Sequence, residues 1–273
     1  MRPFETPDRP EVGALLRWWR KRRGLSQMTL AHAIGVSPRH MSFVETGRSR
    51  PGREVLLRLA CTLEVPLRET NVLLESAGYA RVFGDSRLED TELEGLREIL
   101  VTVLERYEPY SAVVVDAEWR LLMSNRAHRR LSSLLLGTEA PVLGDDGANL
   151  LEQLFRPGGF RERLVNWPEV AHHMLERLRR QVEENPAREG LRSLLAKLEE
   201  GELPPPHDGS PSKLPVLPMH FELSGKHLRL VSMITTFGAP QDVAAQELRL
   251  EAFLPADPET EHVLQMLAQN GEA

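Results

Sequence analysis

Residues able to carry out chemistry are few and scattered in this 273-residue sequence. His172 and His173 are adjacent, so on a helix they diverge by roughly 100° and cannot reach one metal from one face. His220 and His227 have no carboxylate or cysteine at a metal-ligand spacing. The single cysteine, Cys61, excludes an internal disulfide and a cysteine-rich zinc site, and reads as a small buried hydrophobe. No phosphate-cradling Gly loop, nucleophile elbow or paired-carboxylate pattern occurs. This inventory predicts no enzyme, no metal site and no cofactor.

Recognition chemistry is better represented. Arg39, Arg48, Arg50 and Arg53 lie close together, and a guanidinium bonds bidentately to guanine or holds phosphate oxygens. Residues 1–80 carry 13 Lys+Arg against 8 Asp+Glu, whereas the whole chain is net −6. A basic first third beside an acidic remainder suits a nucleic-acid-binding head on a body that avoids the polyanion.

The elements that would position these arginines can be read from local signals. Val12, Leu15, Leu16 and Trp19 give helix one, about Val12–Arg23, a buried stripe. Ser26 reads as an N-cap, with Met28, Leu30, Ala31 and Ile34 as the inner side of a second helix. Gly35 marks its stop, and Ser37 caps a third helix with Pro38 at the first position. Met41 and Val44 face inward there, leaving Arg39, His40, Ser42, Phe43 and Thr46 outside. Two short helices joined by a Gly turn, with a basic exit, form a helix-turn-helix. Pro38, Arg39, Ser42 and Phe43 are then the face for the major groove, with His40 a contact or a solvated neighbour. Phe43 meets a thymine methyl or belongs to the core. Arg48, Arg50 and Arg53 are the phosphate contacts. One head reads a short half-site, so a homodimer on an inverted-repeat operator in double-stranded DNA is expected. Glu54–Leu63 and Leu67–Ala77 complete a five-helix, all-α domain over residues 1–80.

A linker is expected at 81–92, after which the periods mix. Leu93–Arg106 reads as a helix, Tyr110–Asp116 and Trp119–Met123 as a hairpin, and Ala127–Leu135 as a helix. Residues 137–148 read as a Gly- and Asp-rich loop. Helices follow at Leu150–Phe155, Glu169–Glu184 and Leu191–Glu200, and six prolines in 202–218 make an irregular crossing or mobile lid. Val216–Leu223, His227–Phe237 and Glu247–Phe253 are the last strands, with a final helix near Pro258–Ala268. The fold class is α+β: the helical head, then over 93–273 a PAS-like antiparallel sheet with helices.

Such a body can enclose a small apolar ligand. Val114, Phe221, Leu230 and Met233 are assigned to the sheet wall, and Leu154, Phe155, Trp167, Met174 and Leu178 to the facing helices. Arg179 or His173 would meet an acidic head group. The alternative is a body that only dimerises or recruits a protein. The chain has no apolar run of membrane-spanning length and residues 1–12 lack a signal-peptide stretch, so a cytoplasmic protein is expected.

Two resemblances sharpen this reading. Leu25-Ser26-Gln27, Leu30-Ala31, Gly35-Val36-Ser37 and Glu45-Thr46-Gly47 resemble the helix-turn-helix of XRE-type, lambdoid-repressor-like regulators. That resemblance implies phosphate contacts at Gln27 and Thr46. Glu108-Pro109-Tyr110, Val114-Val115-Asp116 with Trp119, Asn125-Arg126-Ala127, Asn166-Trp167, Thr235-Thr236-Phe237-Gly238 and Leu254-Pro255-Ala256-Asp257 resemble the ligand-binding domain of MmyB-like transcription regulators. A bound fatty acid or similar apolar effector is what this second resemblance implies.

Overall fold

The computed structural model describes residues 11–137, 148–201, 216–223 and 225–269. The lead-in 1–10, most of the 137–148 loop and most of the proline-rich 202–218 segment lie outside the described residues. Two compact units form, one reaching to Asp85 together with Glu184–Arg188 and Gln241–Val243, the other comprising the rest.

The first unit packs helices α1 (Val12–Arg22), α2 (Gln27–Ala33), α3 (Pro38–Glu45), α4 (Arg53–Thr62) and α5 (Leu67–Ser76). Leu15, Leu16, Trp19, Leu30, Met41, Val44, Leu59 and Leu74 make its core, each essentially inaccessible to water. Burial at this level contributes about 1.5–3 kcal/mol per large apolar side chain, which offsets the entropy of ordering such short helices. Ser26 accepts from the Thr29 N–H at 3.0 Å and Ser37 from the His40 N–H at 3.1 Å, so α2 and α3 each start on a side-chain cap. Gly35 takes φ +71, which turns the chain out of α2 at no Cβ cost. Met28 does not join the core; it is 60% exposed, because it lies roughly 200° around the helix from Leu30. Cys61 is likewise exposed, on the outer side of α4. The expected linker begins inside this unit: Asn71 accepts from the Val82 and Phe83 N–H groups, and Arg68 grips Asp85 bidentately.

The second unit holds a sheet of β1 (Ser111–Val115), β2 (Leu121–Ser124), β3 (Met219–Leu223), β4 (Lys226–Thr235) and β5 (Arg249–Pro255). Their order is β2-β1-β5-β4-β3 and every pair is antiparallel. Around it run α6 (Glu94–Arg106), α7 (Arg126–Leu136), α8 (Leu150–Phe155), α9 (Trp167–Glu184), α10 (Glu189–Glu199), α11 (Val243–Glu247) and α12 (Pro258–Gln269). The short α11 was not anticipated. Trp119, expected in a strand, instead turns the chain at φ +66 and is buried. Sheet parity divides the interior in two. Ala112, Val114, Leu250 and Ala252 pack with Leu100 and Leu104 of α6, whereas Phe221, Leu228 and Leu230 pack with Leu154, Leu175 and Leu178.

Candidate DNA interface and ligand cavity

The outer side of α3 is held in place by one buried ion pair. Arg20 of α1 donates to Glu45 at the end of α3 through Nε at 2.6 Å and Nη2 at 2.9 Å, and through Nη1 to the Leu25 carbonyl at 2.8 Å. Gln27 Nε2 adds a bond to Glu45 Oε2 at 2.8 Å. Burial alone would raise the Glu45 carboxyl pKa, but the bonds from Arg20 and Gln27 outweigh it and hold the pKa below the ordinary value. The pair joins α1, the start of α2 and the end of α3, which fixes the helix-turn-helix angle.

With the frame fixed, Ser37, Pro38 and Arg39 are exposed, and His40, Ser42 and Phe43 are half-buried on the same outer side. Phe43 is braced rather than free: the Arg39 and Arg48 guanidinium carbons lie 5.4 and 5.9 Å from its ring centroid. Thr46, Arg48 and Arg53 are exposed, while Arg50, also exposed, stacks 4.8 Å above Tyr79. Two anticipated phosphate contacts are engaged internally. One amide hydrogen of Gln27 is committed to Glu45, and the Thr46 hydroxyl donates to the Ser42 carbonyl at 2.8 Å.

In the second unit a cavity of about 380 Å³ opens between the sheet and α7, α8 and α9. Leu154, His173, Met174, Phe221 and Leu230, all named from sequence, line it. Val114 and Met233 do not. Ser232 and Phe253, paired across β4 and β5, face the cavity, so the adjacent Met233–Ala252 pair, and Val114 with it, point to the opposite side. Phe155 and Trp167 pack edge to face at 4.9 Å and Leu178 is fully buried, all three filling core without lining the cavity. Arg179 is exposed and bonded to Glu199 at 2.7 Å.

Apart from His173, the cavity's polar lining was missed from sequence. Arg177 of α9, not Arg179, reaches it, continuing the stripe Val170, His173, Met174 at helical spacing. Its guanidinium stacks 4.3 Å from the Trp119 ring, and Nη1 lies 3.8 Å from Glu251 Oε1 on β5. Burial works to lower the Arg177 pKa and Glu251 supports its charge. Ser232 donates to Glu251. Nearby, His128 contacts Ser111 at 3.0 Å and Ser132 at 3.3 Å. Burial, aided by Arg129, drives the His128 pKa down to about 4, so the imidazole is neutral. Burial also lowers His173, with Arg177 and Arg180 adding to the effect. Among the described residues no group of three or more His, Cys, Asp or Glu is placed to hold a metal, and no helix is long and apolar enough to cross a membrane.

Known proteins match in the same two places. A family model described as a helix-turn-helix domain matches residues 11–73, and one described as the MmyB-like transcription regulator ligand binding domain matches residues 96–267. The ImmF control region 10 kDa protein of Bacillus phage phi105 is 32% identical over 84 residues, 29% of this chain and 93% of that protein. Among solved structures, the clp gene regulator ClgR from Corynebacterium glutamicum is 32% identical, covering 36% of this chain and 90% of that one, at a TM-score of 0.22. The SinR protein/SinI protein complex is 24% identical over 34% of this chain and 80% of that one, also at a TM-score of 0.22. The chain belongs to the MmyB-like transcription regulators, and is a DNA-binding helix-turn-helix regulator that carries that family's ligand-binding domain.

Proposed function

We propose that this chain is a one-component regulator whose ligand is a small, fatty-acid-like amphiphile and whose occupancy changes its affinity for DNA. The observation that carries this reading is the cavity of about 380 Å³, walled by Leu154, Met174, Phe221 and Leu230 and lined also by polar groups. Its size falls within the range of about 300–1,000 Å³ usual for small-molecule sites, and adaptable Met and Leu walls suit a flexible chain. On the DNA side, Arg39 and Ser42 read bases in the major groove, while Arg48, Arg50 and Arg53 supply salt-sensitive phosphate contacts. Two heads act together, as a homodimer on an inverted repeat. The ligand regulates by binding the two DNA-affinity states unequally; without that difference it shifts nothing.

The test uses full-length protein as isolated, in native mass spectrometry, and a duplex selected from a random pool. A co-purifying small organic mass, with duplex affinity changing at least about fivefold once it is stripped, is the expected result. Bare protein whose duplex affinity no lipid alters contradicts the reading and leaves a body that only assembles.

A further inference from the structure

The cavity's described lining includes one arginine and one carboxylate, Arg177 and Glu251. Among the described residues, the titratable groups lining it are Arg177, Glu251, His128 and His173. Both histidines are held toward the neutral form by burial, with Arg129 acting on His128 and Arg177 and Arg180 on His173. Among the described lining residues, Arg177 and Glu251 are thus a facing pair of opposite charge.

Their separation matters as much as their signs. At 3.8 Å, Arg177 Nη1 and Glu251 Oε1 are too far apart for a direct hydrogen bond, which needs about 2.7–3.2 Å. An oxygen placed about 2.8 Å from each would accept from the guanidinium and donate to the carboxylate. A hydroxyl does this with one atom; a primary amide does it with its carbonyl and its N–H. A carboxylate cannot donate to Glu251. It would also set a second anion beside the first, leaving the Arg177 guanidinium to balance two negative charges where it and Glu251 are largely shielded from solvent. Glu251 cannot easily swing aside, since it is buried, bonded by Ser232 and fixed on a central strand.

We infer that the ligand is an uncharged amphiphile, a medium- or long-chain alcohol or primary amide whose head group bridges Arg177 and Glu251, rather than a fatty-acid anion. This rests on the lipid-sensing reading above and narrows it to one head-group class.

The test titrates full-length protein with 1-decanol, decanamide and decanoate, followed by calorimetry at about pH 8, where the acid is ionised. Decanol and decanamide bind at least about tenfold more tightly than decanoate. Greater hydrophobicity of the alcohol would give the same ranking, so Glu251→Gln provides the control. Removing that anion shrinks the decanol-to-decanoate ratio by about tenfold or more. Should the variant misfold, wild-type protein still answers, because decanoate affinity must fall by about tenfold or more from about pH 5 to 8 as its own carboxyl ionises. Decanoate binding as tightly as decanol overturns the inference and leaves the lipid-sensing reading standing. A ratio unchanged in Glu251→Gln, or a flat pH series, overturns it equally. Failure of all three compounds removes both.

Discussion

Each unit buries an Arg–Glu pair, and the two are built differently. In the head, Arg20 and Glu45 meet bidentately at 2.6 and 2.9 Å, and Gln27 and the Leu25 carbonyl occupy further hydrogen-bonding positions. In the body, Arg177 stands 3.8 Å from Glu251 across a cavity wall. A closed pair has little capacity left for a ligand and serves as a joint between α1, α2 and α3. An open pair keeps unmet hydrogen-bonding capacity that a small molecule can complete. The same two residue types thus fix one domain and equip the other.

The largest expected break in this contrast comes from the closed pair. Glu45→Ala strands the buried Arg20 cation and should cost about 3–5 kcal/mol, with DNA binding lost as α3 loosens. Denaturant unfolding measures it. Glu251→Gln should cost only about 1–2 kcal/mol, since Gln still accepts from Ser232 and Arg177 keeps its stacking on Trp119. Equal losses would erase the distinction.

Acid separates the units by range, with the same sign in both. His128 is depressed to about 4 in the folded body, so the unfolded chain binds the extra proton. Its contribution is complete above the ordinary value near 6.5 and is lost as pH falls from there to about 4, amounting to about 3 kcal/mol. Glu45, also depressed, gives stability present above its unfolded pKa and lost only as pH falls through the carboxylate range. Unfolding followed from about pH 7 to 4 should therefore weaken the body first, and His128→Asn should flatten that slope. A smaller effect sharpens the head: Ser37→Ala removes the cap on α3 and should cost about 1 kcal/mol by thermal unfolding, with the Arg20–Glu45 joint intact.

The head was legible in sequence because its determinants are local. The Ser26 and Ser37 caps, the Gly35 turn and the Leu30, Met41 and Val44 core all act within a few residues of one another. Met28 was misplaced because a seven-residue helix offers too few turns to define a stripe. The body's strands and helices were also visible, but not the parity of its sheet. Val113, Val114 and Val115 are all buried, so no polar alternation reveals which of them faces the cavity. Register is set by strands far apart in sequence, and that misplaced Val114 and Met233. Arg177 was recoverable, as the next step of the Val170–His173–Met174 stripe. Glu251 and Ser232 were not, because they meet across two strands, and neither was His128, whose shorter contact is with Ser111 on β1.

The measurement that bears most directly on the account is duplex binding by an Arg39→Ala, Ser42→Ala double variant, read by fluorescence anisotropy beside a melting curve. Both side chains stand on the outer side of α3, away from the Arg20–Glu45 joint. Operator affinity should fall by about a hundredfold, with selectivity over random sequence reduced and melting unchanged. Parental affinity and selectivity in that variant would contradict the assignment of α3 as the reading helix.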